Sequence, residues 1–201
     1  MPTLYDVKPA FQGKLRPLTS RLAVAGITAN QVTITAALIS VVAGAAMAIW
    51  PANALVFLLL PLVLFIRMAL NAIDGMLARE HGQASRLGLV LNEVCDVVSD
   101  LALILPFAAV PLFPAWGVVA FALTAFLTEF VGLLGVPLGS TRRYDGPFGK
   151  SDRAFALGLI AVLLVFHVPI GVVAPYIFPA LALLSLVTVA NRVRVALADV
   201  R

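Results

Sequence analysis

Residues 71–100 read NAIDGMLAREHGQASRLGLVLNEVCDVVSD, and their reading decides the fold. Half of the chain's ten acidic residues lie in this stretch, between long apolar runs. An ionised carboxylate at membrane depth is costly unless it is paired, solvated or bound to a metal. Asn92, Asp96 and Asp100 recur every four residues, so they climb one face of a helix. Arg67, Asn71, Asp74 and Ala78 stand at i, i+4, i+7 and i+11 and share a face of the helix before it. Two helices presenting oxygen donors at one level suit a hard divalent cation. Mg2+ commonly takes one or two carboxylates together with substrate phosphates and water. A solvated polar cap fits the same spacing, and the pattern alone leaves both open. Small residues at Gly75, Ala78, Gly82 and Gly88 allow a ligand or a second helix close to the backbone.

Outside this stretch the chain is apolar. Of its 201 residues, 62% are hydrophobic and 12% charged, and the mean hydropathy is +1.05. That composition excludes an ordinary soluble domain. The net charge is +4, but the cations form short clusters between apolar runs, without the basic and aromatic stripe of a nucleic-acid surface. No nucleic-acid partner is expected; membrane lipids are. The lone Cys95 excludes an intrachain disulfide. The first thirty or so residues are polar and interrupted by proline, so no cleavable signal peptide is expected.

The expected fold is an all-α membrane protein. It has six transmembrane helices and a short N-terminal interfacial helix, in a single membrane domain over residues 1–201. Residues 1–30 form a cytoplasmic or interfacial segment, with Phe11, Leu15, Leu18 and Leu22 on one helical face and Pro17 interrupting the ladder. A solvated basic terminus remains the alternative there. Thr28-Ala29-Asn30 offers an N-cap. The spans are expected near 31–50, 54–73, 87–106, 115–135, 154–168 and 172–190, each close to the length that crosses about 30 Å of hydrocarbon. With no water to satisfy the backbone, each must be helical.

Of the 14 Lys and Arg, all but Arg67 fall on one side of this arrangement. The opposite connections, around Pro51, 107–114 and 169–171, carry no charge. The positive-inside rule then places both termini, and the mouth formed by residues 71–100, in the cytoplasm. Arg67 lies deeper. It either faces inward onto an acid, with Glu129 and Asp100 as candidates, or snorkels to the interface. Arg142, Arg143 and Lys150 lie in a glycine-rich loop before the fifth span. They read as topology signals, as an anion pocket for phosphate groups, or as both.

The order Asp74-Gly75-x-x-Ala78-Arg79, then Gly88, Asn92 and Asp96, resembles the CDP-alcohol phosphatidyltransferase signature DxxDGxxARx8GxxxDxxxD. Thr28-Ala29-Asn30 is similar to the family's TPN motif ahead of the first span, with alanine for proline. Gly149-Lys150 resembles its GK pair. The resemblance implies a bacterial inner-membrane enzyme with a cytoplasmic active site, expected as a homodimer. It would move a phosphatidyl group from a CDP-diacylglycerol-type lipid donor to an alcohol acceptor, such as a polyol phosphate of the glycerol 3-phosphate kind, releasing CMP. It further implies Mg2+ or Mn2+ held by Asn71, Asp74, Asn92 and Asp96; the charge those asparagines lack makes Glu93 or Asp100 an additional candidate ligand. Gly75, Ala78, Arg79 and Gly88 would lie on the CDP-donor side, with Gly75 and Ala78 making room for the nucleotide and Arg79 contacting phosphate. Asp96 would be the catalytic base. Asn71 and Asn92 depart from the pattern, since both motif positions are aspartate in the family. An amide oxygen can coordinate the metal but adds no negative charge. The alternative is therefore a catalytically weak or inactive relative that binds CDP-lipid or serves as a membrane partner protein.

Overall fold

A computed structural model of the chain describes residues 4–139 and 141–199. Residues 1–3 of the N-terminal segment, Ser140 of the charged loop and the last two residues lie outside it. The described residues are helical, with no strand: α1 (Leu4–Val24), α2 (Ala29–Ile49), α3 (Leu59–Glu80), α4 (Arg86–Ile104), α5 (Ala115–Leu134), α6 (Lys150–Val165) and α7 (Ala174–Ala198). Short 3-10 turns at Ala54–Leu58 and Leu105–Ala109 precede α3 and follow α4. Four segments are long and apolar enough to cross a membrane: Ala29–Ile49, Ala54–Glu80, Ala115–Leu134 and Ala174–Ala198. The helices at two of the expected spans differ from these four. α4 carries Arg86, Glu93, Asp96 and Asp100, and α6 has 16 residues.

The chain divides into two compact units, and the division falls inside α2, α3 and α4. Unit 1 comprises residues 1–42 and 62–99. Its core joins Ala29 and Val32 of α2 to Ile73, Met76 and Leu77 of α3, with Leu15, Leu22 and Ala23 of α1 packed against them. α1 therefore extends through Pro17 to 21 residues, longer than the short helix expected. Packing of its apolar face outweighs the one ladder bond that proline removes. The face itself is shifted from the expected one. Leu18 is 46% exposed, while Thr19 is buried and returns its hydroxyl to the Leu15 carbonyl at 3.1 Å. α2 begins with a reciprocal capping box. Gln31 N donates to Thr28 Oγ1 at 3.2 Å, and Thr28 N donates to Gln31 Oε1 at 2.8 Å, satisfying two otherwise orphaned amides.

Unit 2 comprises residues 43–61 and 100–201. Its core is a run of aromatic contacts through Phe57, Phe107, Phe113, Phe121 and Phe178, with ring centroids 5.0–5.9 Å apart. α5 packs on α7. The approach is close because Gly117 faces Pro179, where an added Cβ would lie 2.8 Å from the proline ring. α7 also carries a stripe that is not apolar: Ser185, Thr188 and Arg192 are all buried.

Candidate functional site

The residues singled out from the sequence form two groups, one in each unit. In unit 1 the donors sit on the facing parts of α3 and α4. Asp74 is buried, and its Oδ2 accepts a 2.7 Å hydrogen bond from Thr33 Oγ1 of α2. Thr33 therefore fixes the carboxylate from a third helix. Asn71, one turn earlier, reaches Asp96 on α4, with Nδ2 3.4 Å from Oδ1. Arg67 reaches the same oxygen, Nη2 lying 3.5 Å away. Arg67 is 5% exposed, so the inward orientation holds, and an acid it faces is Asp96. Asn92 lies one turn before Asp96 and is partly buried.

The glycines of this group are covered by named atoms. A Cβ at Gly75 would lie 3.0 Å from Arg79 Nη2, because the exposed Arg79 folds its guanidinium back over the glycine. At Gly88 a Cβ would meet Asn30 Oδ1 at 2.9 Å, so a side chain there would displace the amide that α2 presents to α4. Ser85 caps α4 by accepting from Gly88 N at 2.9 Å. The 81–85 connection is tied to α2 by Gln83, whose Oε1 accepts from Ala29 N at 2.7 Å. This tie holds the mouth of the two acidic helices against the start of α2.

Among the described residues no three of His, Cys, Asp and Glu form a metal cluster. The donors at the motif positions are the carboxylates of Asp74 and Asp96 and the amide oxygens of Asn71 and Asn92. All are oxygens, as a hard cation such as Mg2+ or Mn2+ prefers. Two carboxylates balance one divalent ion.

Unit 2 holds the second group. Glu129 of α5 is buried among guanidinium groups. Arg153 Nη2 donates to its Oε1 at 2.6 Å, Arg142 Nη2 donates to its Oε2 at 2.9 Å, and Arg192 Nη1 lies 3.9 Å from Oε1. Arg153 also lies 3.7 Å from Asp100 and donates to Thr128 Oγ1 at 2.8 Å. Asp100, the additional ligand candidate, is thus paired with an arginine in unit 2. Arg143 donates to Asp145 at 2.7 Å and is also paired with Asp199 near the end of α7. Its hydrogen bond, opposed by partial burial, holds the Asp145 carboxyl below the ordinary carboxylate range. Lys150 opens α6 and is half-buried. Three guanidiniums around Glu129 and Asp100 leave an excess of positive charge.

Arg192 lies beyond residue 190, the expected end of the sixth span. α7 continues through it to Ala198, and it is 2% exposed. The signal was present in the spacing: Ser185, Thr188, Arg192 and Ala196 recur at helical intervals and are all buried. Thr33 closes the polar stretch 28–33 at the entry to the first span, but its bond to Asp74 was not foretold, because a hydroxyl's direction across to another helix leaves no periodicity.

A model of the CDP-alcohol phosphatidyltransferase family matches residues 26–191. The inner membrane protein YnbA of Escherichia coli is 51% identical over 157 residues, covering 78% of each chain. A phosphatidylinositol phosphate synthase of Mycobacteroides abscessus is 32% identical over 194 residues, covering 92% of this chain and 84% of the relative. Among solved structures, the Mycobacterium tuberculosis phosphatidylinositol phosphate synthase in complex with manganese and citrate superposes with a TM-score of 0.73 at 21% identity. That match covers 90% of this chain and 87% of the other. The same enzyme with CDP-DAG bound gives 0.70 at 19% identity, covering 90% and 92%.

Proposed function

This chain belongs to the CDP-alcohol phosphatidyltransferase family, and we propose that it moves a phosphatidyl group from a CDP-linked lipid donor to a phosphate-bearing alcohol, releasing CMP. The observation that carries this reading is the carboxylate pair of unit 1. Asp74 is fixed by Thr33, and Asp96 is reached from α3 by Asn71 and Arg67. In this reading Asp96 is the general base. It accepts the proton of the acceptor hydroxyl as that oxygen bonds to the phosphatidyl phosphorus and the bond to the CMP phosphate breaks. Asp74 and Arg79 bind and orient the donor's pyrophosphate end. Asp74, Asp96 and the amide oxygens of Asn71 and Asn92 would hold Mg2+ or Mn2+. When bound, such an ion supplies positive charge against the pyrophosphate and the leaving nucleotide.

The acceptor assignment draws on two supports. The Mycobacteroides relative is named for a phosphatidylinositol phosphate product, and a Pyrococcus horikoshii relative, 31% identical over 105 residues, is named as an archaetidylinositol phosphate synthase. The unit 2 cluster of Arg142, Arg153 and Arg192 around Glu129, with Arg143 in the preceding loop and Lys150 at the start of α6, gathers guanidinium groups of the kind that pair with phosphate. Purified protein with CDP-diacylglycerol and Mn2+ is expected to release CMP with a polyol phosphate such as inositol phosphate or glycerol 3-phosphate. Asp96→Asn should lower the rate at least about 100-fold, and chelator should abolish it. CDP-diacylglycerol binding without CMP release from any alcohol would favour the second reading, a binding protein that has lost turnover. Asn71 and Asn92, neutral where the family has aspartate, are the observation behind that alternative.

We place the protein in the inner membrane, as one membrane domain with six spans, both termini cytoplasmic, and as a homodimer. The exposed apolar side chains of α4 and α6, including Leu89, Val94 and Phe155, support lipid contact for the two less apolar helices. The charge asymmetry of the connections supports the orientation. A C-terminal green fluorescent protein fusion that stays dark, with an alkaline phosphatase fusion that is active, would reverse it. Chemical cross-linking in native membranes that traps only monomer would remove the dimer.

A further inference from the structure

Of the motif positions in unit 1, Asn71, Asp74, Asn92 and Asp96 offer oxygen donors, and of these four Asp74 and Asp96 bring charge. The same helix face presents a guanidinium. Arg67 is buried, with Nη2 3.5 Å from Asp96 Oδ1, and Asn71 Nδ2 stands 3.4 Å from that same oxygen. One oxygen of Asp96 is thus turned toward a permanent cation and an amide donor. Arginine stays charged at every working pH, and its five N–H groups match carboxylate and phosphate oxygens alike. Paired divalent ions at a displacement centre sit about 3.5–4 Å apart and share the charge of the groups between them. Here a second divalent ion would meet neutral amides at Asn71 and Asn92 and a guanidinium already facing Asp96.

We propose that Arg67 is the site's fixed second cation, bearing the charge a second divalent ion would supply, so that the chain loads one divalent ion with its lipid donor. The inference rests on the donor-site reading of Asp74 and Asp96 given above. It makes the two asparagines and the buried arginine one device. Neutral amides accept a built-in cation where carboxylates would demand another metal.

The test is a count of Mn2+ by electron paramagnetic resonance on the purified full chain in lipid nanodiscs with CDP-diacylglycerol. The wild type is expected to bind one Mn2+ per chain. Arg67→Met combined with Asn71→Asp and Asn92→Asp is expected to bind two. Arg67→Met alone should weaken CDP-diacylglycerol binding at least tenfold while raising the affinity for Mn2+, and Arg67→Lys should recover most of the donor binding. A purely structural role would lower both affinities together. Two Mn2+ per wild-type chain, with CMP release intact, would overturn the inference and leave the proposed function standing. No bound Mn2+ in the presence of the donor would overturn both. The wild-type count decides the matter even where a variant fails to fold.

Discussion

At the residue scale, Asp74 depends on a neighbour that brings no charge of its own. Thr33 donates to it at 2.7 Å from another helix, and groups that orient a metal-binding carboxylate commonly carry 10–100-fold of metal affinity. Thr33→Val should therefore weaken Mn2+ binding by about 10–100-fold, with Thr33→Ser restoring it, measured by Mn2+ titration. A second residue-scale expectation concerns Glu129. It and Arg153 are both buried and meet at 2.6 Å. Removing Glu129 takes from three guanidiniums the carboxylate they share, and breaking a buried pair costs about 3–5 kcal/mol. Glu129→Gln should lower the thermal unfolding midpoint in detergent sharply, whereas a surface change such as Arg16→Met should not. Arg16 pairs with Glu80 in the open, where such bridges contribute little. The motif residues were legible in the sequence because order and spacing survive in a linear string. The inward turn of Arg67 was legible too, from its shared face with Asn71 and Asp74. Its partner was not, since Asp96, Asp100 and Glu129 are equivalent acids until the helices are packed.

Among the elements, the connection from α5 to α6 is held by α7. Phe148 N donates to Thr188 Oγ1 at 3.1 Å, and Arg192 Nε donates to the Asp145 carbonyl at 3.1 Å. Gly146, at φ +137°, lies so close to Thr188 that a Cβ would overlap its methyl. Arg143 adds its pairs to Asp145 and Asp199. The Asp145 carboxyl sits below its ordinary value of 3.8 because Arg143 hydrogen-bonds its charged form. The sign follows from linkage. The clamp is fully present above the ordinary carboxylate pKa and is lost as the pH falls through the lowered folded value. Hydrogen exchange at the Arg143 amide, bonded to Gly132 O at 2.9 Å, should stay slow from neutrality down to about pH 5 and rise only below the ordinary carboxylate range. Asp145→Asn should exchange fast at neutral pH, and an unchanged rate in that variant would remove the clamp. Helix starts were legible where a cap is local, as at Thr28. Lengths were not, because α1 runs through Pro17 and α7 through Arg192 on tertiary packing that no local propensity records.

For the whole molecule, the all-helical class followed from composition and from apolar runs of spanning length, and four of the helices meet that description by themselves. The helices at the other two expected spans, α4 and α6, carry Asp96 and Asp100, and Lys150 and Arg153, respectively. Their polarity, the mark of a site, is what separates them from an ordinary span. Family membership fixes the class of protein, while Asn71 and Asn92 add no charge beside Asp74 and Asp96. The account therefore turns on whether phosphatidyl transfer occurs at all. The direct measurement uses CDP-diacylglycerol labelled in its phosphatidyl phosphate, with purified protein, Mn2+ and a polyol phosphate. The account predicts that the label moves into a new phospholipid carrying the acceptor, in wild type and not in Asp96→Asn. Label that stays in bound donor, with every acceptor tried, would contradict it.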